Sequence, residues 1–435
     1  MNLFNQKIKN SSKHKERKKL HLFKLAFLLC ITAFVASCSS DDNNIEPPRP
    51  EGITTTKQLA TYLENIVNTT EVPGFSVNVS VENEVVFQES FGYANIANQT
   101  PYTNQTINNM ASVSKTFVGA ATAKAIEQGY FTLETEINDL LPIAISNPKM
   151  PNGSIKIKHL VTHTSGIVDV PETYIATNYY ILPGEDITTN IGSILVNELG
   201  MQQMEQVELD AYLVEIFDED GDLYNLDNYL EVLPGETWAY SNDATSLMGY
   251  IIAYVSGESF DAYVENYILN PLQMQNSTFN LESVDFQNAA TQYYDTNEAF
   301  PIYGNHGYVE GGFYSTSDDM SHYLLDMMKG ARGESSVLFS SEYYELLFTE
   351  QLADGVVPNA FAENHGLFWY MKDGNLMHGG NSLGVSTHIQ LKQDGSSGFF
   401  IISNMDGTFT GNEVKWEEVK SLITEGIEEY ISNNS

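Results

Sequence analysis

The sequence predicts an α+β fold: one antiparallel β-sheet flanked by N- and C-terminal helices, with a mainly helical region inserted between its early and late strands. Three observations predict it. Strand-type patterning occurs near residues 74–91 and returns only near 367–403, and turn residues punctuate each run. Helical periodicity opens and closes the folded part. Strands remote in sequence with helices between them imply one sheet carrying an insertion. At 435 residues the chain is long enough for one large domain or two ordinary ones.

In chain order, Leu59, Tyr62, Leu63 and Ile66 recur at helical spacing behind Thr54, Thr55 and Thr56, so a helix starts there. Gly74 to Val81 and Val85 to Phe91 are rich in β-branched and aromatic residues around Glu82, Asn83 and Glu84, which predicts a hairpin. From Ser112 to about Gly129 the Ala-, Phe- and Val-rich composition predicts a buried helix. Residues 130 to 300 read as mainly helical, with loops at Pro148 to Gly153 and an acidic stretch from Asp218 to Asp222. Leu367 to Met371, Asn375 to His378, Val385 to Leu391 and Gly398 to Ser403 then form a predicted antiparallel meander. Val414 to Ile431 closes the chain as a helix.

The amino terminus reads as a targeting segment. Lys7, Lys9, Lys13, Lys15, Arg17, Lys18, Lys19 and Lys24 precede the apolar run Leu25 to Val35 and then Ala36-Ser37-Cys38. This is signal-peptide layout, and the run is too short for an ordinary membrane span. Small residues ending on cysteine resemble a bacterial lipobox, which implies cleavage before Cys38 and its acylation. The expected organisation is a signal peptide at 1–37, an acylated Cys38 with a Pro-containing tether to residue 50, and one folded domain at 51–435, held at the cell envelope by lipid alone. Of the two cysteines, Cys30 would leave with the signal and Cys38 would carry lipid, so no disulfide is expected.

The formal charge is −36, and without residues 1–37 it becomes −43, from 13 basic against 56 acidic residues. A body so acidic repels phosphate backbones and anionic headgroups, which argues against nucleic acid and against electrostatic membrane docking. The partner expected is a small-molecule or peptide substrate.

Ser112-Val113-Ser114-Lys115 fits S-x-x-K. Three residues make nearly one helical turn, so the amine can reach the hydroxyl, which needs a neighbouring base to be a nucleophile. Ser12 to Lys15 and Ser146 to Lys149 match the pattern too, but the first lies in the targeting segment and the second contains Pro148. Tyr240-Ser241-Asn242 follows Pro234-Gly235-Glu236-Thr237-Trp238-Ala239, and that longer pattern is far rarer than Y-x-N, which Tyr93, Tyr102 and Tyr303 also begin. His378-Gly379-Gly380 precedes a predicted strand, and its glycines permit close backbone approach to a ligand.

Together with His159-Leu160-Val161-Thr162-His163-Thr164-Ser165-Gly166 and Gly311-Gly312-Phe313-Tyr314-Ser315-Thr316, these elements resemble the serine β-lactamase and penicillin-binding-protein superfamily, in its class C β-lactamase, DD-peptidase, D-aminopeptidase and esterase branch. The resemblance runs from about residue 55 to the carboxyl end and implies a β-lactamase/transpeptidase-like fold. It implies Ser112 as nucleophile, Lys115 and Tyr240 as its proton-handling partners, and Asn242 as a hydrogen-bond partner of Lys115 or of the substrate amide. It also implies an oxyanion hole from the backbone amides of Ser112 and Asn381. For this chemistry near neutral pH, either the Tyr240 phenol has a depressed pKa or Lys115 is neutral. His378, Gly379 and Gly380 would line the substrate site, with His378 where many β-lactamases carry a lysine. Histidine is not a permanent cation, which disfavours a β-lactamase and favours a peptidase, amidase or esterase.

The expected activity is therefore acyl-enzyme hydrolysis of an amide or ester without metal or organic cofactor. The alternatives are a β-lactamase and a non-catalytic surface binding protein that retains the fold. His159 and His163 are spaced like zinc ligands but lack the glutamate of H-E-x-x-H, and Asp218 to Asp222 lacks the calcium-loop pattern. Tyr303, His306 and Tyr308 read as aromatic packing rather than as cleft lining.

Overall fold

The N-terminal helix α1, Thr56–Thr69, starts where the sequence places it because Thr55 and Gln58 form a reciprocal capping box. Its buried positions are Leu59, Tyr62, Leu63 and Ile66. The computed structural model describes residues 52–171 and 173–434. The targeting segment, Cys38, the tether and the Ser12 to Lys15 match lie outside the described residues.

Strand β1, Gly74–Val81, and strand β2, Glu84–Asn95, form the predicted hairpin. Glu84 belongs to β2, leaving a tight turn at Glu82-Asn83 in which Glu82 adopts φ +55°. Late in the chain β3, Asn375–Ser382, β4, Val385–Lys392, and β5, Ser397–Ser403, complete the meander. The eight-stranded antiparallel sheet runs from the short pairs Asn364–His365 and Tyr370–Lys372 through β3, β4, β5, β1 and β2 to Thr100–Pro101. Its centre joins the two ends of the chain, with Phe75 opposite Ser403 and Val81 opposite Ser397.

Period-2 alternation sends β5 side chains to two cores. Phe399 and Ile401 join Phe75, Val77 and Val79 under α1 and the C-terminal helix Asn412–Asn434, whose buried face is Trp416, Val419, Ile423, Ile427 and Tyr430. Phe400 and Ile402 face the inserted lobe with Phe117, Val118, Met320 and Leu324. Burial of each such side chain contributes about 1.5–3 kcal/mol.

Two expectations need correction. The region 130–300 is only partly helical: its helices include Asn190–Asn197, Leu209–Phe217 and Asn242–Ser256, separated by long irregular segments and short strand pairs. Buried irregular backbone carries the same apolar residues as a buried helix, so composition misleads there. Leu367 to Trp369 is not strand, because Phe368 takes φ +57° and only Tyr370–Lys372 pairs. Among the described residues no helix is long and apolar enough to cross a membrane.

Candidate active site

The segment ahead of Ser112 is fixed from both sides. Asn108–Asn109 pairs with Tyr314–Ser315, and the Met110 amide donates to the Phe313 carbonyl at 2.7 Å. Ala111 sits at φ +46°, held by donation of its amide to Asn109 Oδ1 at 2.7 Å. A left-handed alanine costs roughly 1–2 kcal/mol, which this pairing must offset. The predicted buried helix begins as a 3-10 turn, Ala111–Val113, and becomes α-helical only from Ser114 to Glu127 (α2). Ser112 therefore projects from a tight turn, two residues ahead of the buried helix.

Lys115, wholly buried, reaches back across that turn. Its Nζ lies 3.2 Å from Ser112 Oγ, 2.7 Å from Asn242 Oδ1 and 2.7 Å from the Glu310 carbonyl. The Glu310 carboxylate stands 3.4 Å away on the same amine. Tyr240 Oη donates to Ser112 Oγ at 2.8 Å, and the ammonium position lies 4.9 Å from the Tyr240 ring centre. Two remote sequence stretches, Ser112 to Lys115 and Tyr240 to Asn242, thus place hydroxyl, amine and phenol within hydrogen-bond reach.

Burial sets the electrostatics. It pushes the Lys115 amine below its ordinary range, against the opposing pull of Glu310 and Asp169. It pushes the Tyr240 phenol well above its ordinary range. Of the two conditions left open by the sequence, burial works towards a neutral amine and against a depressed phenol.

Tyr240 and Asn242 are held by residues the sequence reading did not assign to the site. Ser241 caps helix α3, Asn242–Ser256, and the Asp169 carboxylate accepts from the amides of Asn242 and Asp243 and from Asn242 Nδ2 at 2.9–3.0 Å. Burial raises Asp169 to about 6. His163, read above only as part of a motif, packs its ring 4.6 Å from that of Tyr240 and accepts from the Ser241 amide at 3.3 Å. Its carbonyl accepts from the Ala239 amide. His163 and Thr164 together dock the Pro234 to Asn242 segment, with the Thr164 carbonyl accepting from the Gly235 amide. Asp169 lies three residues beyond Gly166, and no spacing rule marks it.

His378, Gly379, Gly380 and Asn381 lie inside β3 rather than ahead of a strand, because the turn is only Leu383-Gly384. Within β3, Tyr370–Lys372 reaches only Asn375–Met377, so among the described residues β3 has one edge without a strand neighbour from His378 onward. Gly380 meets the nucleophile turn. A Cβ there would stand 2.8 Å from the Met110 carbonyl oxygen and 2.9 Å from the Ser112 amide nitrogen. Gly379 and Asn381 point to the exposed face.

His378 is a buried ring rather than a cleft cation, with 1% exposure. It stacks on Tyr370 at 4.5 Å, and Nδ1 is 2.7 Å from the Gly379 carbonyl, which makes it the donor. Burial, reinforced by Lys115, holds its pKa well below the usual range. Beyond Ser112 an aromatic recess is lined by Asn109, Tyr179, Tyr303, Tyr308, Tyr314 and Ser382. Tyr303, 4% exposed, packs on Tyr179, Tyr308 on Phe279 and His306 on Tyr180, which is the aromatic packing expected of them.

The other candidates separate from this centre. Ser146 is exposed, and its Lys149 is bonded to the Tyr229 carbonyl. His159 Nδ1 accepts from the Lys156 amide. The Asp218 to Asp222 stretch is a turn, with the Asp220 amide donating to Asp218 and the Asp222 amide to Glu215. Among the described residues no group of three or more His, Cys, Asp or Glu side chains is arranged to hold a metal ion.

An antiparallel sheet with terminal helices on one face and a lobe presenting a serine, a lysine and a tyrosine on the other defines a β-lactamase/transpeptidase-type protein. The family model described as Beta-lactamase matches residues 59–422, and the chain belongs to that family. It is similar to the protein flp of Staphylococcus aureus (strain MW2), 23% identical over 359 residues, which cover 81% of this chain and 64% of that protein. The chain thus spans less than two thirds of that relative. Among solved structures, the octameric penicillin-binding protein homologue from Pyrococcus abyssi matches with a TM-score of 0.63 and 22% identity, over 80% of this chain and 73% of that one. The D-amino acid amidase from Ochrobactrum anthropi SV3 matches with a TM-score of 0.65 and 18% identity, over 87% of this chain and 99% of that one.

Proposed function

We propose that this protein is a serine hydrolase that forms an acyl-enzyme on Ser112 and cleaves an amide or ester, with D-amino peptides, cell-wall-type peptides and small esters as the substrate class. One observation carries the reading: Ser112 Oγ is within hydrogen-bond reach of both the Lys115 amine, at 3.2 Å, and the Tyr240 hydroxyl, at 2.8 Å. Lys115, desolvated and neutral, takes the Ser112 proton as Oγ bonds to the carbonyl carbon. The carbonyl electron pair moves to its oxygen, where the amides of Ser112 and Asn381 receive it. When the tetrahedral adduct collapses, Tyr240 hands a proton to the departing amine or alcohol and is resupplied by Lys115. Asn242 holds Lys115 in register, and water then repeats the sequence on the ester. No metal or organic cofactor enters.

Substrate choice follows from charge. With His378 buried and held neutral, and a chain of net −36, that wall offers no fixed cation for a substrate carboxylate. This supports an uncharged amide or ester over a β-lactam. The likeness to a D-amino acid amidase points the same way. The protein purified without residues 1–38 is expected to turn over D-amino acid amides or short-chain p-nitrophenyl esters faster than a chromogenic cephalosporin. A kcat/KM highest for the cephalosporin would transfer the reading to a β-lactamase.

The same proposal places the enzyme in a bacterial cell envelope, anchored by acylated Cys38. Cells expressing Cys38→Ser and fed radiolabelled palmitate are expected to yield unlabelled protein, whereas the native chain takes up label. Equal incorporation would remove the anchor.

A further inference from the structure

Glu310 precedes Gly311-Gly312 in the 3-10 turn Tyr308–Glu310, and it is a carboxylate with 3% exposure at the rear of the reactive cluster. Three donors converge on its Oε1: Tyr174 Oη at 2.8 Å, Asn305 Nδ2 at 2.8 Å and Asn178 Nδ2 at 3.3 Å. These come from two stretches of the lobe, the short helix Tyr174–Asn178 and the strand Tyr303–Asn305, and Asn178 is itself tied to the Gly307 amide at 2.8 Å. With Oε1 occupied, Oε2 is the oxygen left to Lys115, at 3.4 Å. A buried carboxylate so heavily solvated by fixed donors is a built feature, since an unpartnered one would cost several kcal/mol.

The contacts of Lys115 also fix where its hydrogens point. Asn242 Oδ1 and the Glu310 carbonyl, both at 2.7 Å, can only accept. A neutral amine has two N–H bonds, so both are taken and its lone pair is left facing Ser112 Oγ. Once the proton arrives on that lone pair, the new N–H points back at Ser112 Oγ, and the ammonium carries its charge 3.4 Å from the Glu310 carboxylate.

We propose that Glu310 is a positioning residue of the reaction: its main-chain carbonyl aims the Lys115 lone pair at Ser112, and its carboxylate balances the positive charge that Lys115 acquires when it takes the serine proton. This rests on the reading of Ser112 as nucleophile. The atoms balance within the site, because the proton leaves Ser112 Oγ, bonds to Lys115 Nζ and departs through Tyr240 to the leaving group. The anion is present before the charge forms, so it needs no reorganisation during the step.

Glu310→Gln keeps the shape and the main-chain acceptor and removes the charge. Lys115 then becomes a weaker base that is neutral at lower pH. Tyr240, Asp169, His163 and His378 also face Lys115 and remain in place. The experiment measures the rate of fluorophosphonate labelling against pH on the full chain in detergent, for wild type, Glu310→Gln and Glu310→Asp, with Ser112→Ala as reference. The expected result is a plateau rate lowered about 100-fold in Glu310→Gln, with the rising acid limb moved to lower pH by about one pH unit or more. Glu310→Asp, with its carboxylate withdrawn from Nζ, is expected to shift both in the same direction by less. It decides the matter if Glu310→Gln does not fold. A limb that stays in place, whether or not the plateau falls, reduces Glu310 to a packing residue and overturns the proposal. Labelling of Ser112→Ala at the wild-type rate would instead overturn the nucleophile assignment.

Discussion

Ser112→Ala is expected to abolish covalent labelling by a fluorophosphonate probe and to reduce turnover of any accepted ester below detection, while Ser146→Ala labels as wild type. The contrast is informative because both serines head an S-x-x-K sequence. Only one has its lysine aimed at it. Lys115 Nζ is 3.2 Å from Ser112 Oγ, whereas Lys149 Nζ is spent on the Tyr229 carbonyl. Removing the nucleophile of a serine hydrolase costs about 10⁶ in kcat, because base and acid then have nothing to act on. Intact-protein mass spectrometry reads the adduct directly. Equal labelling of the two variants would move the chemistry elsewhere.

Gly380→Ala should be the second most damaging change. Its backbone angles are those of an ordinary strand, so the penalty is spatial. The new methyl would stand 2.4 Å from Thr387 Oγ1, 2.8 Å from the Met110 carbonyl and 2.9 Å from the Ser112 amide, and the last two are backbone atoms that cannot rotate away. Strand β3 must retreat, which separates the Asn381 amide from that of Ser112. Loss of one oxyanion donor lowers kcat by about 10²–10³, with a stability loss of roughly 1–3 kcal/mol from overpacking. Gly379→Ala, where no atom lies within 4 Å of the added carbon, should cost much less. A Gly380→Ala enzyme with wild-type kcat, by steady-state assay, would remove β3 from the oxyanion site.

The juxtaposed Ser112, Lys115 and Tyr240 were legible in the amino-acid sequence because each sits in a short pattern with its own local reason. Ser112 and Lys115 are one turn apart, and Tyr240 and Asn242 bracket the cap residue Ser241. The terminal helices and the meander were legible from periodicity and turn residues. Asp169 and Glu310 were not, because an isolated acidic residue looks the same whether it faces water or is buried among amides. Their meaning exists only after Tyr174, Asn178 and Asn305 have been brought beside one and the Asn242 turn beside the other. His378 shows the converse: the pattern was visible, but its 1% exposure and neutral ring follow from packing against Tyr370. The lobe between residues 130 and 300 was misread because its apolar residues satisfy tertiary contacts without helical periodicity.

The pairing of β1 with β5 has a consequence for biogenesis. Phe75 meets Ser403, and Gly380 must reach Ser112, so both the sheet and the catalytic centre depend on segments made last. Contacts of such long sequence separation form slowly, since chain closure precedes any reward. A nascent chain halted before its final strands already carries the serine, the lysine and the tyrosine, yet it lacks the strand that closes over them. For the hydrolase proposed above, activity would then wait for completion of the polypeptide.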